Sequence, residues 1–192
     1  MADGIDTIAR TFCPAFELLA IAYHEAGHAV AQLLVSPSLP FLSVSVIPAD
    51  GDLGRATFED YEDLIVPDTD GEEAEVSEHE RQFIESQAIS SLAGPLAEQG
   101  FRGLTLGPPL PSSASTDETY VHSLAHDLHD DHREAHAWQW SMLGLAVRMI
   151  EDSRNWLAVA AVASALLREK TLDGSEVADL LRIAEGRPRP TT

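Results

Sequence analysis

The chain is short of cysteine, of basic residues and of long apolar runs, and each shortage excludes a class of protein. Its 192 residues include one cysteine, Cys13, which excludes an intrachain disulfide and a zinc site built on several cysteines. Lys and Arg number 12 against 32 Asp and Glu, a formal net charge of −20, which argues against nucleic-acid partners and anionic membrane surfaces. The longest apolar stretch, 156–167, has 12 residues and is interrupted only by Ser164, and a membrane span needs about 18.

The chain also shows no secretory leader. Its first 13 residues hold one basic residue and no apolar run. Together with the single cysteine, this predicts a cytoplasmic protein without a membrane segment. The composition of 44% hydrophobic and 23% charged residues is that of a globular protein. The length predicts one domain, over 1–185, followed by a disordered tail over 186–192.

The first third of the chain predicts one helix and a small strand unit. A helix is expected over 14–35, because it begins at a proline and ends before a Ser-Pro-Ser-Leu-Pro run. Apolar residues alternate with serines over 41–47, which predicts a strand, and a short second strand is expected over 55–58. The acid-rich segment 50–80 predicts a solvated loop, and a specific site for a cation or a basic peptide is the alternative.

The remainder of the chain predicts helices. Ser77 and Glu80 match a capping box, and the helix they begin is expected to end near Ala93, where Gly94-Pro95 bends or breaks it. After a proline-rich loop at 103–116, the pattern predicts one long helix over 117–150, another over 155–170, and a short one capped by Ser175 and ending near 182. The predicted class is mainly α with a small β-sheet, α+β.

A His-Glu-x-x-His pattern, at His24, Glu25 and His28, carries the chemistry. In a helix, residues four apart lie on one face, so the two imidazoles can bind one zinc ion. Glu25 lies beside them, where its carboxylate can take a proton from a metal-activated water. The pattern therefore predicts a hydrolytic zinc site. Gly27 inside the helix indicates the close approach of another backbone or of substrate, or tight helix packing.

A catalytic zinc site needs a third protein ligand, and the spacing leaves that ligand open. The candidates are Glu98, Asp117, Glu118, His122, Asp127 and several further histidines.

Five segments, in order, resemble the peptidase domain of FtsH-type ATP-dependent metalloproteases. They are His24–Val30, Val44–Pro48 with Leu53-Gly54 after it, Leu92–Gln99, Thr116-Asp117 with the helix start that follows, and Leu166–Leu172. The zinc motif and the helix start at Asp117 are the specific matches. Together the segments extend over about residues 17–182.

The resemblance implies a helical, zincin-type domain and a role for each matching residue. His24 and His28 would be zinc ligands, Glu25 the general base, and Asp117 the ligand that completes the site. The strand at 44–47 would be the edge to which substrate adds as another strand; a packed core strand is the alternative. The resemblance also suggests a homo-oligomer.

The chain departs from the family in three respects. It contains no Gly-x-x-x-x-Gly-Lys-Ser/Thr pattern, we expect no membrane anchor, and Pro95 stands where the family has Arg. We therefore expect a peptidase-like domain that stands alone. Its substrates would be peptides, unfolded protein segments, or chains delivered by a separate ATPase.

Five histidines recur over 122–136, at His122, His126, His129, His132 and His136. On one helix they would share a face, which allows a second metal site or a pH-sensitive surface; a polar helix face without a special role is the alternative.

Three functions follow from these patterns. The first is a zinc-dependent metallopeptidase acting on peptides or unfolded segments. The second is a proteolytically inactive, zinc-binding module that acts through protein contacts. The third is a metal-handling or acidic interaction protein that uses the histidine row and the acidic segment.

Overall fold

A computed structural model describes residues 14–36, 41–48, 54–58, 76–108 and 115–187. The helices in these ranges are α1 (Pro14–Val35), α2 (Glu78–Phe101), α3 (Ser115–Leu128), α4 (His132–Glu151), α5 (Ser153–Glu169) and α6 (Gly174–Ala184), and the strands are β1 (Phe41–Ser45), β2 (Arg55–Phe58) and β3 (Thr171–Asp173). The fold is mostly helical with one small antiparallel sheet, which confirms the predicted α+β class.

Helix α1 lies at the centre of the fold and has the bounds that the sequence predicts. It packs against α2 and α5, while β1 and β2 lie beside it. Small side chains let α2 come close: a Cβ on Gly27 would lie 2.5 Å from the backbone oxygen of Ala93. The expectation that Gly27 marks the approach of another backbone is therefore confirmed.

Helix α1 is also long and apolar enough, by length and composition, to cross a membrane. Its window over Ala15–Val35 has a mean hydropathy of 1.2, and half of that window is buried inside the fold. A search for long apolar stretches in the sequence does not detect this helix, because His24, Glu25 and His28 interrupt it. Core helices of soluble proteins and signal sequences meet the same criteria. The absence of a membrane segment therefore stays a prediction.

Helix α2 continues through Pro95, so its predicted end near Ala93 is wrong. Its start is as predicted, with Ser77 and Glu80 forming a complete capping box. A proline removes one helical donor, but tertiary packing can maintain the helix around it. Here Ala93, Gly94 and Pro95 are all buried against the rest of the fold, which holds the helix to Phe101.

The long helix predicted over 117–150 is two helices, α3 and α4. The chain leaves helical geometry after Leu128 and re-enters it at His132. Asp131 takes an extended conformation and accepts hydrogen bonds from the backbone N–H groups of Arg133 and Glu134. An Asp that caps in this way competes with helix continuation, and apolar periodicity does not detect it.

The sheet has the strand order β2-β1-β3, with both pairs antiparallel. Strand β1 therefore has neighbours on both sides over 43–45, and the prediction that it forms a free edge for substrate is wrong. The sequence does not show β3, because its pairing with β1 joins segments more than 120 residues apart. The Asp173-Gly174 pair in this segment indicates only a turn.

Two boundaries also differ from the sequence prediction. Strand β1 ends at Ser45 rather than at residue 47, because the Ser45 hydroxyl accepts the N–H of Ile47 and turns the chain. The cap of α6 is Asp173, paired with Glu176, rather than Ser175.

Some predicted features lie outside the described residues. They are Cys13, most of the acidic segment (50–53 and 59–75), residues 109–114 of the proline-rich loop, and residues 188–192 of the tail.

Candidate metal centre

The two histidines of the motif lie one turn apart on α1 and direct the same ring atom to a common point. The Nε2 atoms of His24 and His28 are 3.0 Å apart. Nδ1 of His28 is 2.8 Å from the carbonyl oxygen of Ser90, and Nδ1 of His24 is 3.2 Å from Oε2 of Glu98. When each Nδ1–H donates to these acceptors, a neutral ring carries its lone pair on Nε2. Two lone pairs then face each other, which favours a cation between them.

Asp117 brings a carboxylate oxygen from the first turn of α3 to the same point. Its Oδ2 lies 3.3 Å from Nε2 of His24 and 3.6 Å from Nε2 of His28. Zinc bonds of about 2.0–2.2 Å in tetrahedral geometry place ligand atoms roughly 3.3–3.6 Å apart. The two distances to Asp117 fall in this range, and the 3.0 Å between the Nε2 atoms of His24 and His28 is about 0.3 Å shorter. Two imidazoles and one carboxylate are also a donor set of catalytic zinc sites, which keep a fourth position open.

Within the described part of the chain, His24, His28 and Asp117 are the one group of three or more His, Cys, Asp or Glu residues whose ligand atoms all lie within 4.8 Å of one another. The structure thus brings together the three residues that sequence and resemblance named as ligands. That they bind metal stays a prediction.

The charges of the site show that it accommodates a cation. Burial opposes the charged form of His24, but hydrogen bonds to Asp117 and Glu98 outweigh burial and raise the pKa of His24 to about 10. Burial also opposes ionised Asp117, yet the charge of His28 and hydrogen bonds from both histidines hold the pKa of Asp117 far below its usual value. In the absence of metal, the raised pKa of His24 favours a proton on this ring. Metal binding would displace that proton, because the ligands must be deprotonated.

Glu98 fixes the orientation of His24. Its carboxylate accepts the Nε–H of Arg102 at 2.8 Å, and a terminal nitrogen of Arg102 donates to Glu17 at 2.8 Å. Burial raises the pKa of Glu98, but His24 and Arg102 outweigh it and lower the value. A carboxylate that accepts a hydrogen bond from the non-ligating ring nitrogen of a metal-binding histidine fixes the orientation of that ring. Glu98, a candidate third ligand from the sequence, thus bonds to the Nδ1 side of His24, away from the converging atoms.

Glu25, the predicted general base, is buried beside the histidine pair. It is 7% exposed, and its charge is close enough to His24 to help raise the pKa of that imidazole. The chain just before β2 covers it closely: a Cβ on Gly54 would lie 2.6 Å from Oε1 of Glu25. Gly54 therefore leaves room for this carboxylate, and a larger side chain would displace it.

The other candidate ligands lie away from the group. Glu118 and Asp127 are exposed on α3. His122 belongs instead to an open pocket of about 410 Å³ between α3 and α4. The pocket is lined by His122, His126, His132, Arg133, His136 and Gln139. The predicted histidine row is therefore divided between two helices, and four of its five members still meet at one pocket.

Three contacts of the site had no signal in the sequence. The carbonyl of Ser90 contacts His28 from 62 residues away in sequence. The guanidinium of Arg102 contacts Glu98, four residues before it, and is itself held by Glu17, 85 residues away. The sequence predicts only a bend or break of the helix at Gly94. In the structure, a Cβ on this residue would overlap the ring of His28. Its lack of a side chain lets α2 pass directly beneath the imidazole.

Comparison with known proteins gives a distant sequence similarity. No family model matches the chain. The chain is similar to the ATP-dependent zinc metalloprotease FtsH of Photobacterium profundum, with 26% identity over 194 aligned positions. The alignment covers 83% of this chain and 26% of that protein, so the chain spans about a quarter of the length of this relative. The similarity supports an FtsH-related region.

Proposed function

We propose that this chain is a zinc-dependent metallopeptidase that hydrolyses peptide bonds in peptides or unfolded segments. The observation that carries the proposal is the convergence of two Nε2 atoms and one Oδ2 atom, from His24, His28 and Asp117, beside the buried Glu25. The similarity to a zinc metalloprotease over most of the chain supports the same interpretation.

Each residue has a defined role in this proposal. His24, His28 and Asp117 hold the zinc ion, and Glu98 keeps His24 in the ligating orientation. When bound, zinc supplies Lewis-acid activation of a water molecule and of the peptide carbonyl. Glu25 accepts a proton from the attacking water and passes it to the amine nitrogen as the C–N bond breaks. One water is consumed, and a carboxyl and an amino terminus form.

The sheet offers a place for an extended substrate. Within the described sheet, β2 pairs with β1 on one side only. Gly54, which directly precedes β2, lies against the side chain of Glu25. A peptide that paired with the free edge of β2 would therefore pass close to the general base. Only an unfolded segment can add as a strand. We propose peptides, unfolded segments or chains delivered by a separate ATPase as substrates, in the cytoplasm, with the chain acting as a homo-oligomer.

The test is Glu25→Gln, assayed on a library of quenched fluorescent peptides. The substitution keeps the size of the side chain and removes its basicity, so turnover should fall by about 10²–10⁴-fold. Zinc content should stay unchanged, because Glu25 is not a ligand in this proposal. Glu118→Gln, on the exposed face of α3, is the matched control and should retain full activity.

Two outcomes would contradict the proposal. Equal cleavage by wild type and Glu25→Gln would assign the activity to a contaminant or to another residue. Zinc-loaded wild type without any cleavage would favour the inactive, zinc-binding module that acts through protein contacts.

A further inference from the structure

The pocket between α3 and α4 repeats part of the geometry of the first site. His122 and His126 are four residues apart on one helix, as His24 and His28 are. Their ring centroids are 4.6 Å apart, against 4.7 Å for the α1 pair. His132, at the start of α4, adds a third ring, whose centroid is 4.8 Å from that of His126. Three imidazoles from two helices therefore lie in consecutive contact.

The nitrogens of these three rings are free for a ligand. Among the described residues, no hydrogen bond engages a ring nitrogen of His122, His126 or His132. His136 differs, because its Nε2 accepts the indole N–H of Trp140 at 3.0 Å. His129 also differs, since it does not line the pocket and its Nδ1 lies 3.7 Å from a carboxylate oxygen of Glu134. The free set is thus limited to three histidines.

We propose that His122, His126 and His132 form a second metal site, which binds a divalent transition-metal ion such as Zn²⁺. Imidazole nitrogen suits these ions, whereas Mg²⁺ and Ca²⁺ prefer oxygen ligands. The net charge of −20 raises the local concentration of cations at the surface. The pocket is open and large enough for water to complete the coordination.

The ligand atoms of the second site are less well positioned for a metal ion than those of the first. The donor atoms of the second site do not yet lie within 4.8 Å of one another, so binding requires rotation of these side chains. His122 and His132 are exposed and His126 is half-buried, so the rings have room to turn. The guanidinium of Arg133 lines the same pocket and opposes a cation. Affinity should therefore be lower than at the α1 site.

A bound ion would add a bridge between α3 and α4, which already contact each other and are connected through residues 129–131. His126 lies on α3 and His132 on α4, and α3 also carries Asp117 at its first turn. The site would hold α3 against α4. It does not depend on whether the chain is a peptidase.

The test is calorimetric titration of Zn²⁺ into protein already loaded with one zinc equivalent, in excess Mg²⁺. Wild type should bind a second equivalent. His126→Ala removes the ring shared by both contacts. Loss of an outer partner of a ligand already weakens metal binding 10–100-fold, so loss of His126 should weaken the second equivalent by at least about tenfold. His79→Ala, which removes an exposed histidine of α2, is the matched control and should bind as wild type does.

The test also separates the two sites. In a His28→Ala background the α3–α4 site should persist, whatever happens at the first site. His132→Ala should reproduce the loss seen with His126→Ala, and circular dichroism should show that both variants fold. If neither wild type nor His28→Ala bound a zinc equivalent that is lost in His126→Ala, the proposal would be overturned. Equal binding by His126→Ala would also overturn it, as would binding that excess Mg²⁺ abolishes, which would indicate carboxylate ligands.

Discussion

At the scale of single residues, the two candidate zinc ligands of α1 are oriented by different means. The Nδ1 atom of His28 donates to a backbone carbonyl, that of Ser90, which no substitution of a side chain removes. The Nδ1 atom of His24 lies against the side chain of Glu98, which Arg102 holds in turn. The orientation of His24 can therefore be tested by replacing its hydrogen-bond acceptor, whereas that of His28 cannot be tested in this way.

Glu98→Ala should weaken zinc binding about 10–100-fold, because His24 loses the carboxylate that orients its ring. Competition with a chelator measures this affinity. Glu98→Gln keeps an acceptor oxygen for the Nδ1–H and should retain most of the affinity, which distinguishes an orienting role from direct ligation. An affinity unchanged in Glu98→Ala would show that His24 does not need this partner.

The sequence predicts the site residues to different degrees. His24, Glu25 and His28 follow from local spacing, because a helix places residues four apart on one face. Asp117 follows from the resemblance alone, since local spacing cannot choose among distant carboxylates. The orienting role of Glu98 was not predicted, because its contact with His24 joins residues 74 apart in sequence.

At the scale of elements, the crossing of α1 and α2 determines whether the site can form. Gly27 of α1 lies under the carbonyl of Ala93, and Gly94 of α2 lies under the ring of His28. These residues bring the two helix axes close, so that α2 can supply both Ser90 and Glu98 to the histidines. Gly27 lowers the intrinsic stability of α1, but the packing of α1 against α2 requires it.

Gly27→Ala should lower the free energy of unfolding by about 1–3 kcal/mol, because the added methyl group meets backbone atoms that cannot move easily. Urea denaturation measures the change. The matched control is Gly144→Ala in α4, where the new Cβ would meet one atom of Arg148 at 3.6 Å. That variant should gain up to about 1 kcal/mol from helix propensity. Equal effects at the two positions would contradict the close crossing.

Element boundaries are predicted well where local signals determine them. The bounds of α1 and the capping box of α2 follow from proline and cap residues near in sequence. The predicted boundaries are wrong where packing against distant residues, or a capping residue that the pattern does not reveal, determines where a helix ends. Helix α2 continues through Pro95 because the residues around this proline are buried. Asp131 caps α4 and so separates α3 from α4, which the apolar periodicity predicts as one helix.

At the scale of the whole molecule, the fold assembles one site from three helices that are distant in sequence. Helix α1 supplies the histidine pair and the candidate base, α2 their orienting partners, and α3 the carboxylate that closes the triangle. The sequence predicts the α+β class but not the order of the sheet, since β3 reaches β1 from the far end of the chain.

The most direct test of this account is the zinc content of dialysed protein, measured by elemental analysis. Wild type should keep about one tightly bound zinc per chain, and Asp117→Ala should lose most of it, because two imidazoles alone leave the site short of a ligand. Glu118→Ala, one residue further along α3, should keep the wild-type content. Folded wild type that retains no zinc, or Asp117→Ala that retains as much as wild type, would contradict the account.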